Sequence, residues 1–375
     1  MINYQICTRC IMDTTDPEIV FRNDGVCNHC LEYEKLIENN EKYSEEEYNR
    51  IIEKIKKLGK GHPYDCIAAI SGGIDSSYMV HKLKSAGLRV LAVHFDGGWN
   101  TEEAIHNVKS LVETIGIDLY TYYADWEEFR ALQLAYLNAG VIDIDVPTDH
   151  TFFASLYEVA DKKNVPFIIT GHNLKTESLM PKAWVCDKLD ARNIMDIYKK
   201  FGSGLKLKTL PILNFKKKFS YYNIKKIEVV FILNTLKYNK LEAAENLKDT
   251  YGWLPVKVKH GESIWTRFYQ CFILPARFNI DKRKAHYSNL ILSGLMSREN
   301  ALIEMQKPIY PYNFEQDKKH ILDKFRLTEA DLDMYMTQKK RTVNEFKTDT
   351  SMKNIYTVLR KLIPFKGLLN ASTRH

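Results

Sequence analysis

The sequence predicts an α/β protein built on a doubly wound parallel sheet, with a small cysteine-rich head before it and a mainly helical part after it. Three observations carry this. From Asp65 to Thr170 short apolar runs alternate with amphipathic helical segments, as βαβ units require. Four of the seven cysteines fall within the first 30 residues as two Cys-x2-Cys pairs. Beyond Met180 the strand signals fade, and the periodic segments between Leu241 and Thr342 read as helices.

The head comes first. The pairs Cys7/Cys10 and Cys27/Cys30 are separated by 16 residues. Each knuckle turns two thiolates towards one point, and the four complete a tetrahedral S4 site suited to Zn²⁺. Such a shell has no open position, so the metal is expected to be structural. Residues 1–35 are therefore read as a zinc ribbon, with His29 an exposed bystander inside the second knuckle. Residues 36–62 read as a connecting helix, because Leu36, Ile37, Tyr48, Ile51, Ile52 and Ile55 recur at helical spacing among Glu and Lys. Gly59 to Pro63 breaks it.

Residues 63–185 form the α/β body. Cys66–Ile70 is a buried strand ended by Ser71-Gly-Gly73, and Ile74–Ala86 is a helix closed by Gly87. Leu88–Phe95 is the second strand. Asn100 or Thr101 caps a helix with Ala104, Val108, Leu111, Val112 and Ile115 on one face. Ile117–Tyr123 is the third strand, and the helix Asp125–Asn138 stops at Gly140. A helix from Asp149 to Lys163 and a strand Val165–Thr170 complete the series. Right-handed crossovers then place ligands at the carboxyl ends of the strands. Residues 186–375 are read as a basic, mainly helical substrate or partner region. Helices are expected at Leu241–Thr250, twice within Ile280–Met305, and once over Ile321–Thr342. The polar ending Asn370–His375 reads as an appended tail.

Composition sets the class. Hydrophobic residues at 45% and charged residues at 27% support a sizeable core and exclude wholesale disorder. No apolar run approaches the ~18 residues of a membrane span, and the opening lacks the basic and apolar regions of a signal peptide. A cytoplasmic protein with no membrane contact is expected. The net charge of +7 is uneven, since the stretch from Cys186 to Thr250 holds 14 Lys/Arg against 7 Asp/Glu. That stretch could follow nucleic-acid phosphates or dock a protein.

The chemistry concentrates in Ser71-Gly-Gly-Ile-Asp-Ser-Ser77, at a strand-to-helix junction. Gly72 and Gly73 let the backbone approach a phosphate, and the helix beginning at Ile74 offers free N–H groups. Ser71, Ser76 and Ser77 add hydroxyl donors. Asp75 would repel a bare polyphosphate, but makes sense as a Mg²⁺ ligand. A Walker loop needs a following Lys and a dinucleotide fingerprint a third Gly, and both are absent.

This loop resembles the signature of the PP-loop pyrophosphatases (adenine nucleotide alpha hydrolase-like), which cleave ATP between its α and β phosphates. His94-Phe-Asp96 ends the second strand, where that family cradles adenine and ribose. Thr170-Gly171-His172-Asn173 resembles the family's TGH element, and its trailing Glu177 is implied to share Mg²⁺ with Asp75 in catalysis. With the zinc ribbon, Lys259-His-Gly-Glu-Ser-Ile-Trp-Thr-Arg-Phe-Tyr-Gln270 and Asp281-Lys-Arg-Lys-Ala-His286, the chain is similar to the N-acetyl sugar amidotransferases of bacterial surface polysaccharide and pseudaminic acid synthesis. The resemblance runs from about Cys7 to Glu304. It implies adenylylation of an acetamido oxygen, then attack by ammonia to leave an acetamidino group, AMP and pyrophosphate. His260, Glu262, Arg267 and Arg283 are expected to meet an anionic sugar, Arg through its two-pronged geometry.

No segment supplies a glutaminase, so ammonia is expected from a separate subunit. The rival reading is a tRNA-thiolating enzyme of the same superfamily, against which stands the want of a second cysteine pair: Cys66, Cys186 and Cys271 are single. Nucleic acid is accordingly not the expected partner, and a non-catalytic nucleic-acid module is opposed by the intact loop.

Overall fold

The structure, a computed structural model, describes residues 4–40 and 44–350. The polar ending Asn370–His375 lies outside the described residues. After the head come α1 (Asn28–Asn40) and α2 (Glu45–Gly59). The single expected connector is thus two helices. Ser44 takes extended backbone and caps α2, its hydroxyl accepting from Glu47 N at 2.9 Å.

The α/β series follows the expected order: β1 (Cys66–Ala69), α3 (Ile74–Ser85), β2 (Val90–Asp96), α4 (Glu102–Ile115), β3 (Asp118–Tyr123), α5 (Trp126–Ala139), α6 (Val146–Lys162) and β4 (Phe167–Ile169). Thr101 caps α4, and Gly140 ends α5 in the left-handed conformation that a side chain resists. Then come α7 (Leu174–Glu177), α8 (Ala191–Phe201), α9 (Phe215–Phe219), β5 (Glu228–Val230) and α10 (Lys240–Tyr251). β5 pairs in parallel with β4, so the sheet is not confined to residues 63–185. Only Val229 and Val230 of its three residues are apolar, too little to read as a strand without its partner.

The sheet order is β3-β2-β1-β4-β5, parallel throughout. The order reverses between β1 and β4, which opens a crevice above their carboxyl ends. Alternate residues face opposite layers. Cys66, Ala68, Ala92 and Ile169 pack with Met79, Leu83, Leu111 and Leu247, whereas Ile67, Leu91, Val93 and Ile168 pack with Leu156, Val159 and Val165. Each such aliphatic burial contributes roughly 1.5–3 kcal/mol.

The C-terminal part is helical: α11 (Ile264–Phe268) runs through a π turn at Tyr269–Ile273 into α12 (Leu274–Phe278), then α13 (Arg283–Leu292), α14 (Arg298–Met305), α15 (Phe314–Phe325) and α16 (Glu329–Thr337). The helix expected over Ile321–Thr342 is divided. Arg326 adopts a left-handed φ of 57°, and Thr328 with Asp331 builds a capping box that starts α16. No helix among the described residues is long and apolar enough to cross a membrane.

The head is clamped onto this part. The Arg298 guanidinium donates to the carbonyl oxygens of Cys7 (2.9 Å) and Cys10 (3.0 Å). Lys284 pairs with Asp13 at 2.5 Å, and Ile11 N donates to Ser288 Oγ. A rigid ribbon therefore fixes α13, a wall of the site.

Candidate active site

The carboxyl ends of β1, β2, β4 and β5 open into one cavity of about 400 Å³, within the range of small-ligand sites. The loop after β1 forms its floor. Gly72 has φ +86°, and an added Cβ would meet the Ala104 carbonyl oxygen at 2.5 Å. The Gly72 carbonyl accepts from Asn107 Nδ2 and Trp253 Nε1, both at 3.0 Å. Ser76 Oγ accepts from Ser71 N and donates to the Gly73 carbonyl, which curls the loop over the start of α3. Ser71, Gly73, Asp75 and Ser76 line the cavity. Gly72, Ile74 and the buried Ser77 shape the loop from behind.

Two carboxylates face this floor, each paired with a lysine. Asp75 accepts from Lys240 Nζ at 3.1 Å and from the Tyr238 hydroxyl at 2.5 Å, with Asn173 Nδ2 at 3.5 Å. Glu177 pairs with Lys259 at 3.0 Å. Burial opposes ionisation of Glu177, but the basic groups around it, Lys259 foremost, together outweigh it and hold the carboxyl well below the usual range. Glu262 presses on the loop, since a Cβ on Gly73 would lie 2.0 Å from its Oε1, and burial pushes its carboxyl up.

His94 is fully committed. Its Nδ1 donates to the Ile70 carbonyl at 2.9 Å, which leaves Nε2 to accept from Asn100 Nδ2 at 3.0 Å. Burial lowers its proton affinity, so it serves as a neutral tie between β1, β2 and the cavity wall. His172 lines the cavity between the rings of Phe153 and Phe231, and Gly171 lines it beside them. Asn173 caps α7 from Oδ1.

His260 and Glu262 reach the cavity, but the two expected arginines do not. Arg267 is a bidentate partner of Asp317, at 2.7 and 2.6 Å, and stacks on Tyr312. Arg283 is held by Asp281 and the Lys307 carbonyl. Both forks are already filled inside the helical part. Asp96 does not line the cavity either; its Oδ1 accepts from Gly98 N and shapes the turn after β2. His29 is not exposed: it is 9% accessible and bonds Asp16 at 2.6 Å.

Instead the cavity gains Lys259, Lys282 and His286 within the segments already singled out, and Lys240 stands behind Asp75. His260 and His286 meet edge to face at 6.1 Å. Burial and the neighbouring lysines lower His260 to about 3 and keep His286 well below its usual value, so both are neutral imidazoles. The basic stretch is partly neutralised: Lys188 turns inward and bridges Asp143 and Asp149, while the solvent-accessible Lys217, Lys200 and Lys225 pair with Glu158, Asp196 and Asp161.

The four head cysteines are buried, and their sulfurs lie within 4.8 Å of one another, three pairs at 3.7 Å. Four thiolates around one tetrahedral ion with ~2.3 Å bonds are about 3.8 Å apart. The spacing fits a single ion. An iron–sulfur cube binds each thiolate on its own iron and spreads the sulfurs wider. Asp75 and Glu177 set hard oxygen donors beside the Ser71–Ser76 loop, a donor type that would suit Mg²⁺. One or two carboxylates suffice when phosphates and water complete the shell.

Residues 262–361 match the family described as LPS biosynthesis protein WbpG-like, C-terminal domain. A curated relative, the glutamine-hydrolyzing GMP synthase of Pyrobaculum aerophilum, is 39% identical over 85 residues, which is 22% of this chain and 16% of that synthase. Among solved structures, NMN synthetase from Francisella tularensis aligns at 14% identity and a TM-score of 0.30, over 56% of this chain and 94% of that one. The U34-tRNA thiolase NcsA from Methanococcus maripaludis, with its [4Fe-4S] cluster, aligns at 16% identity and a TM-score of 0.32, over 81% and 89%.

Proposed function

We propose that this chain is an ATP-dependent enzyme of the PP-loop superfamily that converts the N-acetyl group of a bacterial surface sugar to an acetamidino group. One observation carries the reading. The segment matching the WbpG-like family closes the same cavity that the phosphate loop opens: Glu262, Ser263, Thr266, Gln270, Lys282 and His286 face Ser71, Gly73 and Asp75 across it. On this reading, nucleotide chemistry and the family-matched segment would share one chamber.

In this reading the Ser71–Gly73 backbone and the α3 amino terminus hold the β and γ phosphates. Lys240 and Lys259 neutralise them as the amide oxygen attacks the α-phosphorus and pyrophosphate leaves. Asp75 and Glu177 would hold Mg²⁺, which supplies charge neutralisation on the departing group. The cavity walls keep water from the O-adenylyl imidate until ammonia attacks its carbon and AMP departs. Ammonia comes from a separate glutaminase subunit, with the exposed part of the Cys186–Thr250 stretch as its docking surface. Zn²⁺ is the proposed metal of the head, on the thiolate set and its 3.7 Å spacing.

A tRNA-thiolating activity that relays sulfur through cysteine, or holds an iron–sulfur cluster at the reacting centre, needs thiols there. None of the seven cysteines lines the cavity, and burial pushes the Cys271 thiol up to about 12 and those of Cys66 and Cys186 higher still. The test is mass spectrometry of N-acetyl sugars, free and nucleotide-linked, after incubation with ATP, Mg²⁺ and ammonium. The product should be about 1 Da lighter as C=O becomes C=NH. No such product from any of them would overturn the reading.

A further inference from the structure

Another side of the cavity wall is made by the first turn of α6, the segment Val185–Leu189, the π turn and α13. Asp145 stands at the N-cap of α6 without making a cap bond. It is 5% exposed, and its Oδ1 is buried with no hydrogen-bond partner among the described residues. Lys282, 8% exposed, lines the same cavity with its Nζ 5.3 Å from the Tyr269 ring and no ion pair among the described residues. A buried acceptor near a buried donor is costly when both are left unmet. Together they suit a ligand that donates to one and accepts from the other.

An acetamido group does both. Its N–H donates, its carbonyl accepts, and its methyl suits the apolar lining of Phe152, Met180 and Val185. Lys188 is already paired with Asp143 and Asp149, so Asp145 and Lys282 remain as one group of each sign, and neither a bare cation nor a bare anion would satisfy both.

We propose that Asp145 binds the N–H of the substrate's acetamido group and is the base that removes its proton as the amide oxygen attacks the α-phosphorus of ATP. This rests on the reaction proposed above. The oxygen–phosphorus bond forms while the bond from the α-phosphorus to the bridging pyrophosphate oxygen breaks. The N–H proton passes to Asp145 Oδ1, C–N becomes C=N, and a neutral O-adenylyl imidate results. Ammonia then adds to carbon, AMP leaves with the carbon–oxygen electron pair, and ammonia's three protons remain on the amidinium. Asp145 returns its proton to solvent. Removing the N–H proton drives electron density onto an oxygen that is otherwise a poor nucleophile.

The surroundings suit a base near neutral pH. Burial first, and then the Asp149 charge, push the Asp145 carboxyl up to about 6, against the opposing effects of Lys188 and Thr148. Asp143, Lys282 and Tyr269 are the other ionisable groups that face it.

Two measurements test this on the full chain. The first is saturation-transfer NMR with N-acetylglucosamine as probe. The acetyl methyl should saturate with wild type and with Asp145→Asn, which keeps an acceptor, but not with Asp145→Ala. The second is ATP–pyrophosphate exchange without ammonia, with the sugar that becomes 1 Da lighter. Asp145→Asn should lose about 10²-fold in exchange rate at little change in KM, and Asp145→Glu should recover some of it. Wild-type exchange should rise with pH through about 6, because the base works deprotonated, and that rise should vanish in Asp145→Asn. Undiminished ATP binding shows that the variants fold. Near-normal exchange by Asp145→Asn overturns the base role, and equal methyl saturation in wild type and Asp145→Ala overturns the acetamido site. A wild type that binds the methyl but exchanges with no N-acetyl sugar overturns the base role with the proposed reaction and leaves the acetamido site standing.

Discussion

Gly171 leaves no room for a side chain where the loop after β4 meets the first turn of α3. A Cβ built there lies 2.7 Å from Ser76 N, 2.8 Å from the Asp75 carbonyl carbon and 2.9 Å from Ser76 Cα. Ordinary contact begins at 3.4 Å, so Gly171→Ala must push the facing backbones apart by about 0.7 Å. None of the three atoms belongs to a flexible side chain that could swing aside. The backbone at Gly171 does not need positive φ, so the cost falls on the contact and not on local strain. The displaced pieces carry Asp75 and Ser76 on one side and His172 on the other. A misplacement approaching 1 Å in groups that position reactants costs on the order of 10²-fold. Calorimetric titration with ATP and Mg²⁺, together with ATP–pyrophosphate exchange, should show a combined loss of that size with the protein still folded by circular dichroism. Unchanged affinity and exchange in Gly171→Ala would show that these two loops do not close on one ligand.

Three further outcomes are expected. Metal analysis of freshly purified protein should give one Zn²⁺ per chain, and Cys10→Ser should lose it and loosen the head; iron at the same stoichiometry would contradict the single-ion geometry. Asp75→Asn should lower turnover by about 10²-fold or more with a smaller effect on sugar binding, and near-normal AMP release would refute its role. The chain alone should work with high ammonium and poorly with glutamine, whereas glutamate formed in step with AMP would reveal a glutaminase site within it.

The sheet was legible because β1, β2 and β4 are short apolar runs ended by a Ser-Gly turn, Asp or Thr, while β3 shows in the aromatic-rich stretch Ile117–Tyr123 between two helices. β5 was not: Glu228-Val-Val230 becomes a strand only because β4 offers it a free edge. The split near Arg326 was visible in Thr328 and Asp331, a capping pair that helical periodicity masked. At the site, the loop after β1 could be named from its glycines and serines, which act locally, and the residues after β4 through the family resemblance. Lys240, Lys259, Lys282 and Asp145 could not. Nothing local separates a buried lysine from a solvated one; the difference lies in which carboxylate the fold brings opposite. The same blindness made Arg267 and Arg283 look like substrate ligands, when Asp317 and Asp281 fill their forks.

Under the proposed function, charge balance at the Ser71–Ser76 loop would explain why the lysines and carboxylates come in pairs. Asp75 with Lys240 and Glu177 with Lys259 are near neutral as they stand, and burying either carboxylate alone would cost several kcal/mol. On the proposed reaction a triphosphate would bring about four negative charges into the same space. His260 and His286 contribute none of the opposite sign, because burial keeps them neutral. If the lysines turned to the phosphates alone, Asp75 and Glu177 would be left unpaired beside a polyanion. If the carboxylates kept the lysines, the phosphates would go uncompensated. On the proposed reaction, Asp75 and Glu177 would hold a divalent cation that supplies the missing positive charge, and Lys240 and Lys259 would then be free to face the leaving pyrophosphate. The pairs seen here hold the two carboxylates in place. On this reasoning, Lys240→Met should disable the loop even though Lys240 lies outside every motif the sequence displays.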